Sequence, residues 1–161
     1  MKNLKLFLTL CICCTVIAGK AQNLFSKGDK VVGLGIGLFE YDRSGFPFAA
    51  SAEFGLKDNL FDENSSLGAG ILAGYSADRY EGKDYSYFLI GIRGAMHYKL
   101  VEKLDTYTGL MFAFEGGSNR NRGLIPGLFA GGRYYFTDNA AVFGEIGYGI
   151  SLLQIGISIK L

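Results

Sequence analysis

Through residues 30 to 161, large apolar residues alternate with glycine, other small residues or charged ones in segments about ten residues long. Successive side chains of a strand point to opposite faces, so each segment reads as a β-strand with one greasy face and one small or polar face. The last segment is the cleanest: Leu153, Ile155, Ile157, Ile159 and Leu161 fall on one face, and Gln154, Gly156, Ser158 and Lys160 on the other. Eight strands are predicted, near residues 30 to 39, 46 to 57, 66 to 77, 85 to 98, 104 to 115, 124 to 136, 141 to 149 and 152 to 161. Between them lie turn formers such as Tyr41-Asp42-Arg43-Ser44-Gly45, Lys57-Asp58-Asn59, Glu81-Gly82-Lys83-Asp84, Gly116-Gly117-Ser118-Asn119 and Thr137-Asp138-Asn139. No segment carries a sustained helical period.

The faces agree from strand to strand. Val32, Leu34, Ile36 and Leu38 oppose Gly33, Gly35 and Gly37; Phe88, Ile90, Ile92 and Met96 oppose Gly91, Arg93 and His97. Leu104, Leu110, Phe112 and Phe114 oppose Asp105, Tyr107, Gly109 and Glu115, and Val142, Ile146 and Tyr148 oppose Phe143, Glu145 and Gly147. Almost every charge inside a strand, namely Glu53, Arg93, Asp105, Arg133, Glu145 and Lys160, lies opposite the bulky apolar residues.

This alternation fits a membrane barrel with lipid outside or a soluble lipocalin-like barrel with a greasy interior. Volume and charge favour the first. About thirty large apolar side chains share the greasy face, too many for the lumen of an eight-stranded barrel, which is only just wide enough to be filled by side chains. Facing water instead, they would forgo ~1.5 to 3 kcal/mol each. A soluble barrel would also cover its outside with Lys and Glu, whereas the second face is mostly glycine, alanine and serine. The early Gly-x-Trp of lipocalins is missing, since the chain has no tryptophan. The expectation is an all-β, eight-stranded, antiparallel up-and-down transmembrane β-barrel, eight being the smallest even number usual in single-chain bacterial barrels.

The first 21 residues indicate the compartment. Lys2 and Lys5 precede an apolar run over residues 6 to 18, and Gly19-Lys20-Ala21 places small residues where a signal peptidase reads, so residues 1 to 21 are expected to be a signal peptide cut before Gln22. The apolar run is too short to span a bilayer as a helix, which needs about twenty residues. Residues 22 to 161 then form one barrel domain. Cys11, Cys13 and Cys14 leave with the signal, so no disulfide, thiol nucleophile or thiolate metal site is expected in the exported chain. Thirteen basic and fifteen acidic residues remain, a net charge of about −2 that gives no hint of nucleic acid.

With both barrel termini on the periplasmic side, residues 40 to 45, 78 to 84, 116 to 123 and 150 to 151 become outer loops, and 58 to 65, 99 to 103 and 138 to 140 periplasmic turns. Aromatic residues gather at the rims: Phe39, Phe46, Tyr75 and Tyr85 at the outer one, Tyr98, Tyr134 and Phe136 at the inner one.

The stretch Gly131-Gly132-Arg133-Tyr134-Tyr135-Phe136-Thr137-Asp138-Asn139, then Glu145-Ile146-Gly147-Tyr148-Gly149 and the alternating final strand, resembles the C-terminal hairpin region of the small outer-membrane barrel family that includes OmpX-type proteins and the membrane domain of OmpA-type proteins. The resemblance covers residues 30 to 161 and implies a Gram-negative-type outer membrane, contact with outer-membrane lipids and lipopolysaccharide, insertion by the outer-membrane assembly machinery, and a monomer. Such barrels commonly end in an aromatic residue that the assembly machinery recognises, and Leu161 stands there instead. Architecture of this kind leaves activity open.

Three activities are open to a barrel of this size. A few barrels of this size transfer or hydrolyse lipid acyl chains with a Ser-His pair and an acidic partner. His97 is the single histidine, it lies near the periplasmic end of its strand, and no serine is predicted on its lumen level. No metal or cofactor is expected: one histidine and no mature cysteine leave only scattered carboxylates, and Gly33-x-Gly35-x-Gly37 has the period of a strand, with no helix after it to make a phosphate loop. A small pore is disfavoured because Arg93, Glu53, Arg133 and Glu145 would cross a narrow lumen and bond one another. Surface interaction through the outer loops is left: Arg43, Arg79, Arg120 and Arg122 lie in or beside them, and the close pair Arg120 and Arg122 could meet lipid phosphates, but solvated loop charges are the favoured expectation.

Hairpin counting makes the lumen pairing specific. If Asp138-Asn139-Ala140 is a three-residue turn, Thr137 pairs with Ala141 and Arg133 lies opposite Glu145, as a lumen ion pair. The same counting across residues 99 to 103 puts His97 opposite Asp105 and Arg93 opposite Gly109.

Overall fold

The computed structural model describes residues 24–38, 47–80, 83–118 and 123–161. The expected signal peptide, Phe39, Phe46 and the loop arginines Arg43, Arg120 and Arg122 lie outside them. Eight strands are formed: β1 (Lys30–Gly37), β2 (Phe48–Asp58), β3 (Ser65–Tyr80), β4 (Lys83–Val101), β5 (Leu104–Gly117), β6 (Gly123–Tyr135), β7 (Ala140–Gly147) and β8 (Leu153–Lys160). Each pairs antiparallel with the next, and β8 pairs with β1, so the sheet closes and has no edge. The Leu161 N–H donates to the Lys30 carbonyl at 2.8 Å, bringing both ends of the barrel chain to one rim, called here the turn end. Predicted and observed strand limits differ by no more than three residues, because the alternation that defines the strands also defines which side must meet lipid.

The apolar face is the outside. Leu34, Ile92, Leu110, Leu128, Ile146 and Ile157 are all more than half exposed on the outer wall, while the alternate positions are buried in the lumen. Tyr75 at one rim and Tyr98, Tyr134 and Phe136 at the other are likewise exposed, forming the aromatic borders of the belt. No helix among the described residues is long and apolar enough to cross a membrane, and a closed barrel needs none.

Two connections differ from the counted ones, and both differences shift the lumen register by two residues. In the β6–β7 turn the Thr137 hydroxyl accepts the Ala140 N–H at 2.9 Å, and the Phe136 N–H donates to the Ala140 carbonyl at 3.1 Å. The hydroxyl can do this only from inside the turn, so Thr137-Asp138-Asn139 is the loop and Phe136 closes it with Ala140. Arg133 therefore faces Phe143, and Gly131 faces Glu145. Between β4 and β5 the turn tightens to Glu102-Lys103, with Val101 opposite Leu104 and a bulge between Lys99 and Val101. His97 then faces Tyr107, Arg93 faces Met111, and Gly109 faces Ala95.

The lumen is filled in two storeys. Toward the loop end it is apolar, with Leu72, Leu89, Met111, Ala113 and Phe129 packed under Ile150, which folds in from the β7–β8 loop and is 2% exposed. Toward the turn end it is charged.

Candidate functional site

Six ionisable side chains from five strands meet in the turn-end storey: Glu53 of β2, Arg93 and His97 of β4, Asp105 of β5, Arg133 of β6 and Glu145 of β7, each between 1 and 9% exposed. All occupy inward positions of the period-two pattern. Arg93 binds Glu145 bidentately, Nη2 to Oε2 at 2.8 Å and Nη1 to Oε1 at 3.2 Å. Arg133 reaches two acids, donating from Nη2 to Glu53 Oε2 and lying with Nη1 3.5 Å from Asp105 Oδ2. His97 is held from both sides: Nε2 is 3.0 Å from Glu53 Oε1, and Nδ1 is 3.0 Å from Asp105 Oδ2. An ionised carboxylate only accepts, so both imidazole nitrogens donate and the ring counts as a cation. Three cations then face three anions.

Aromatic faces complete the packing. The Arg93 guanidinium carbon lies 3.8 Å from the Phe129 ring centre, and that of Arg133 4.7 Å from Tyr107. The π faces attract the cations, which are buried beside them. The void beside Arg93, Glu145, Gln154 and Ser158 is about 10 Å³, the space of a single water.

The four residues expected to pair across the lumen, Arg133, Glu145, Arg93 and Glu53, all lie in this storey, but the partners are exchanged. Arg133–Glu145 is not formed: the two-residue shift in the β6–β7 turn moves Glu145 one inward level away, within reach of Arg93, and leaves Arg133 to Glu53 and Asp105. Asp105 does bond His97, from a diagonal position. Another expectation also fails. A serine does share the histidine's level, since Ser66 pairs directly with His97 across β3 and β4. Its hydroxyl donates to the Phe25 carbonyl at 2.7 Å, and both histidine nitrogens are committed to acids, so no nucleophile and base are joined. Among the described residues no group of His, Cys, Asp and Glu is arranged to hold a metal ion.

Residues 24–29 were not anticipated. They turn under the barrel and place Phe25, 2% exposed, against the charged storey, its ring centre 4.1 Å from that of His97. The strand period ends at Lys30, so alternation carries no signal there; the turn formers Ser26-Lys27-Gly28-Asp29 after the apolar pair Leu24-Phe25 were the available hint.

No protein-family model and no curated protein sequence matches the chain. Solved structures do. A de novo designed transmembrane β-barrel is 22% identical over 84% of this chain and 98% of its own, with a TM-score of 0.55. A second designed barrel, solved by NMR, is 19% identical over 85% of this chain and 96% of its own, with a TM-score of 0.50. Ail, the attachment invasion locus protein of Yersinia pestis, is 10% identical over 83% of this chain and 95% of its own, with a TM-score of 0.49. At these identities the likeness to the designed barrels concerns the fold, and the fold is that of a transmembrane β-barrel.

Proposed function

We propose that the chain is a bacterial outer-membrane β-barrel with a structural or surface-interaction role, and that it neither catalyses a reaction nor conducts ions. The observation that carries this reading is the occluded lumen: a charge-balanced layer at one level, close-packed apolar side chains at the next, and a segment of the same chain across each mouth. A channel needs a continuous polar path, and an acyl-transfer site needs an accessible nucleophile beside a base. The reading includes export through a signal peptide over residues 1 to 21, the turn end facing the periplasm, and a monomer inserted by the outer-membrane assembly machinery. It also includes contact of the outer loops with lipopolysaccharide phosphates, for which the close pair Arg120 and Arg122 is the candidate.

Purified from outer membranes, the protein should migrate faster unboiled than boiled, begin at Gln22, and give no unitary steps in a planar bilayer. Stable open-channel conductance would restore the pore. A changed acyl pattern of cellular lipids on His97→Ala would restore the enzyme.

A further inference from the structure

The turn-end mouth is closed by a piece of chain that belongs to no strand. The Asp29 N–H donates to the Ser26 carbonyl at 3.0 Å and the Ser26 N–H to the Asp29 carboxylate at 2.9 Å, closing a turn around Gly28, whose φ of +91° is in the left-handed region that glycine tolerates. This turn sends Phe25 up the barrel axis. There its ring stacks on the His97 imidazole with 26° between planes and lies 5.9 Å from the Arg133 guanidinium carbon.

The seat that receives it is built entirely by the strands. Ser66 donates to the Phe25 carbonyl at 2.7 Å, Gly55 exchanges two backbone bonds of 2.9 Å with Gly28 and Asp29, and Asp58 accepts the Lys27 N–H at 2.7 Å. The Lys160 ammonium reaches the Leu24 carbonyl at 3.3 Å. These contacts address backbone groups, which any peptide carries; the aromatic ring supplies the selectivity. Space is cleared by small residues. A Cβ on Gly55 would fall on the Ser26 carbonyl oxygen, and one on Gly68 would come 2.9 Å from the Phe25 ring.

The occupant is separable from its seat. The barrel ladder begins at Lys30, none of the buried lumen ion pairs involves residues 24–29, and the Lys160–Asp29 pair is about a quarter exposed at each side chain. A short segment that adds no strand to the ladder can leave its seat by local opening, without global unfolding.

We propose that the turn-end mouth is a peptide-binding site for a short segment carrying one aromatic side chain followed by a turn, and that residues 24–29 are its resident ligand. The site is a β-type backbone reader with an aromatic pocket floored by imidazole and guanidinium. Its existence does not depend on the membrane in which the barrel resides.

The chain contains no tryptophan, so a synthetic peptide of residues 22–30 with tryptophan in place of Phe25 reports its own surroundings. Full-length Phe25→Ala protein in detergent micelles, its closed barrel checked by unboiled migration, is titrated with this peptide. We expect a saturable blue shift of the emission, absent with empty micelles. Apparent affinity should drop at least tenfold for wild-type protein, whose seat is filled, and for the Phe25→Ala, Gly55→Val double variant. A peptide with alanine at the aromatic position should not compete. Absence of a saturable shift with Phe25→Ala protein, equal binding to wild type, or competition by the alanine peptide would overturn the proposal.

Discussion

The two storeys of the lumen fill the same barrel by different means. The loop-end storey uses apolar volume, Leu72, Leu89, Met111 and Phe129 beneath Ile150, where any set of side chains of similar size and shape keeps water out. The turn-end storey uses six ionised groups whose value lies wholly in their partners. Buried charges in pairs add little over an apolar filling, whereas a buried charge that has lost its partner is strongly destabilising. The first storey therefore tolerates exchange and the second does not. Register matters little to the former and decides everything in the latter.

The largest effect should come from Glu53→Gln, because this one carboxylate serves both Arg133 and His97. Loss of ~3 to 5 kcal/mol is expected in urea unfolding from micelles, at the upper end for a group with two cationic partners. A loss below about 1 kcal/mol would mean that the storey rearranges freely, and the contrast with the apolar half would disappear.

Next come two double-mutant cycles that share one residue. Arg93→Met and Glu145→Gln should be strongly non-additive, with a coupling of about 1 to 3 kcal/mol, whereas Arg133→Met with Glu145→Gln should be nearer additivity. Coupling in the second cycle equal to that in the first would contradict the observed register.

Smallest of all should be Met111→Leu in the apolar storey, a volume-conserving exchange expected to cost less than about 1.5 kcal/mol. A cost as large as that of Glu53→Gln would show that the loop-end storey is as position-specific as the charged one.

The contrast also explains what could be read from the sequence. Strand number, strand limits and the inward or outward sense of Glu53, Arg93, His97, Arg133 and Glu145 follow from alternation, which persists through any even shift of register. Partner choice does not persist. It turned on the Thr137 hydroxyl entering the β6–β7 turn and on one bulge between Lys99 and Val101, each a local event that moves every downstream pair by two residues. Ser66 escaped notice for a related reason, since its neighbour Ser65 is equally buried and caps the β2–β3 turn through Phe61 and Asp62 N–H groups. Phe25 escaped because a non-strand segment leaves no period to detect.

The charged storey also bears on how the chain crosses into lipid. The first four strands bring Glu53, Arg93 and His97, an excess of one positive charge; the last four bring Asp105, Arg133 and Glu145, an excess of one negative charge. Neither half is neutral alone. A half-inserted sheet would expose an uncompensated ion to hydrocarbon, a cost of several kcal/mol, and the opposite excess in the other half would draw the two together. The membrane thus selects against half-barrels, and insertion should be a single cooperative event in which β4 meets β5 before either is committed to the bilayer core. Time-resolved insertion into vesicles should show the two halves protected together; stable protection of strands β1 to β4 while β5 to β8 stay accessible would refute it.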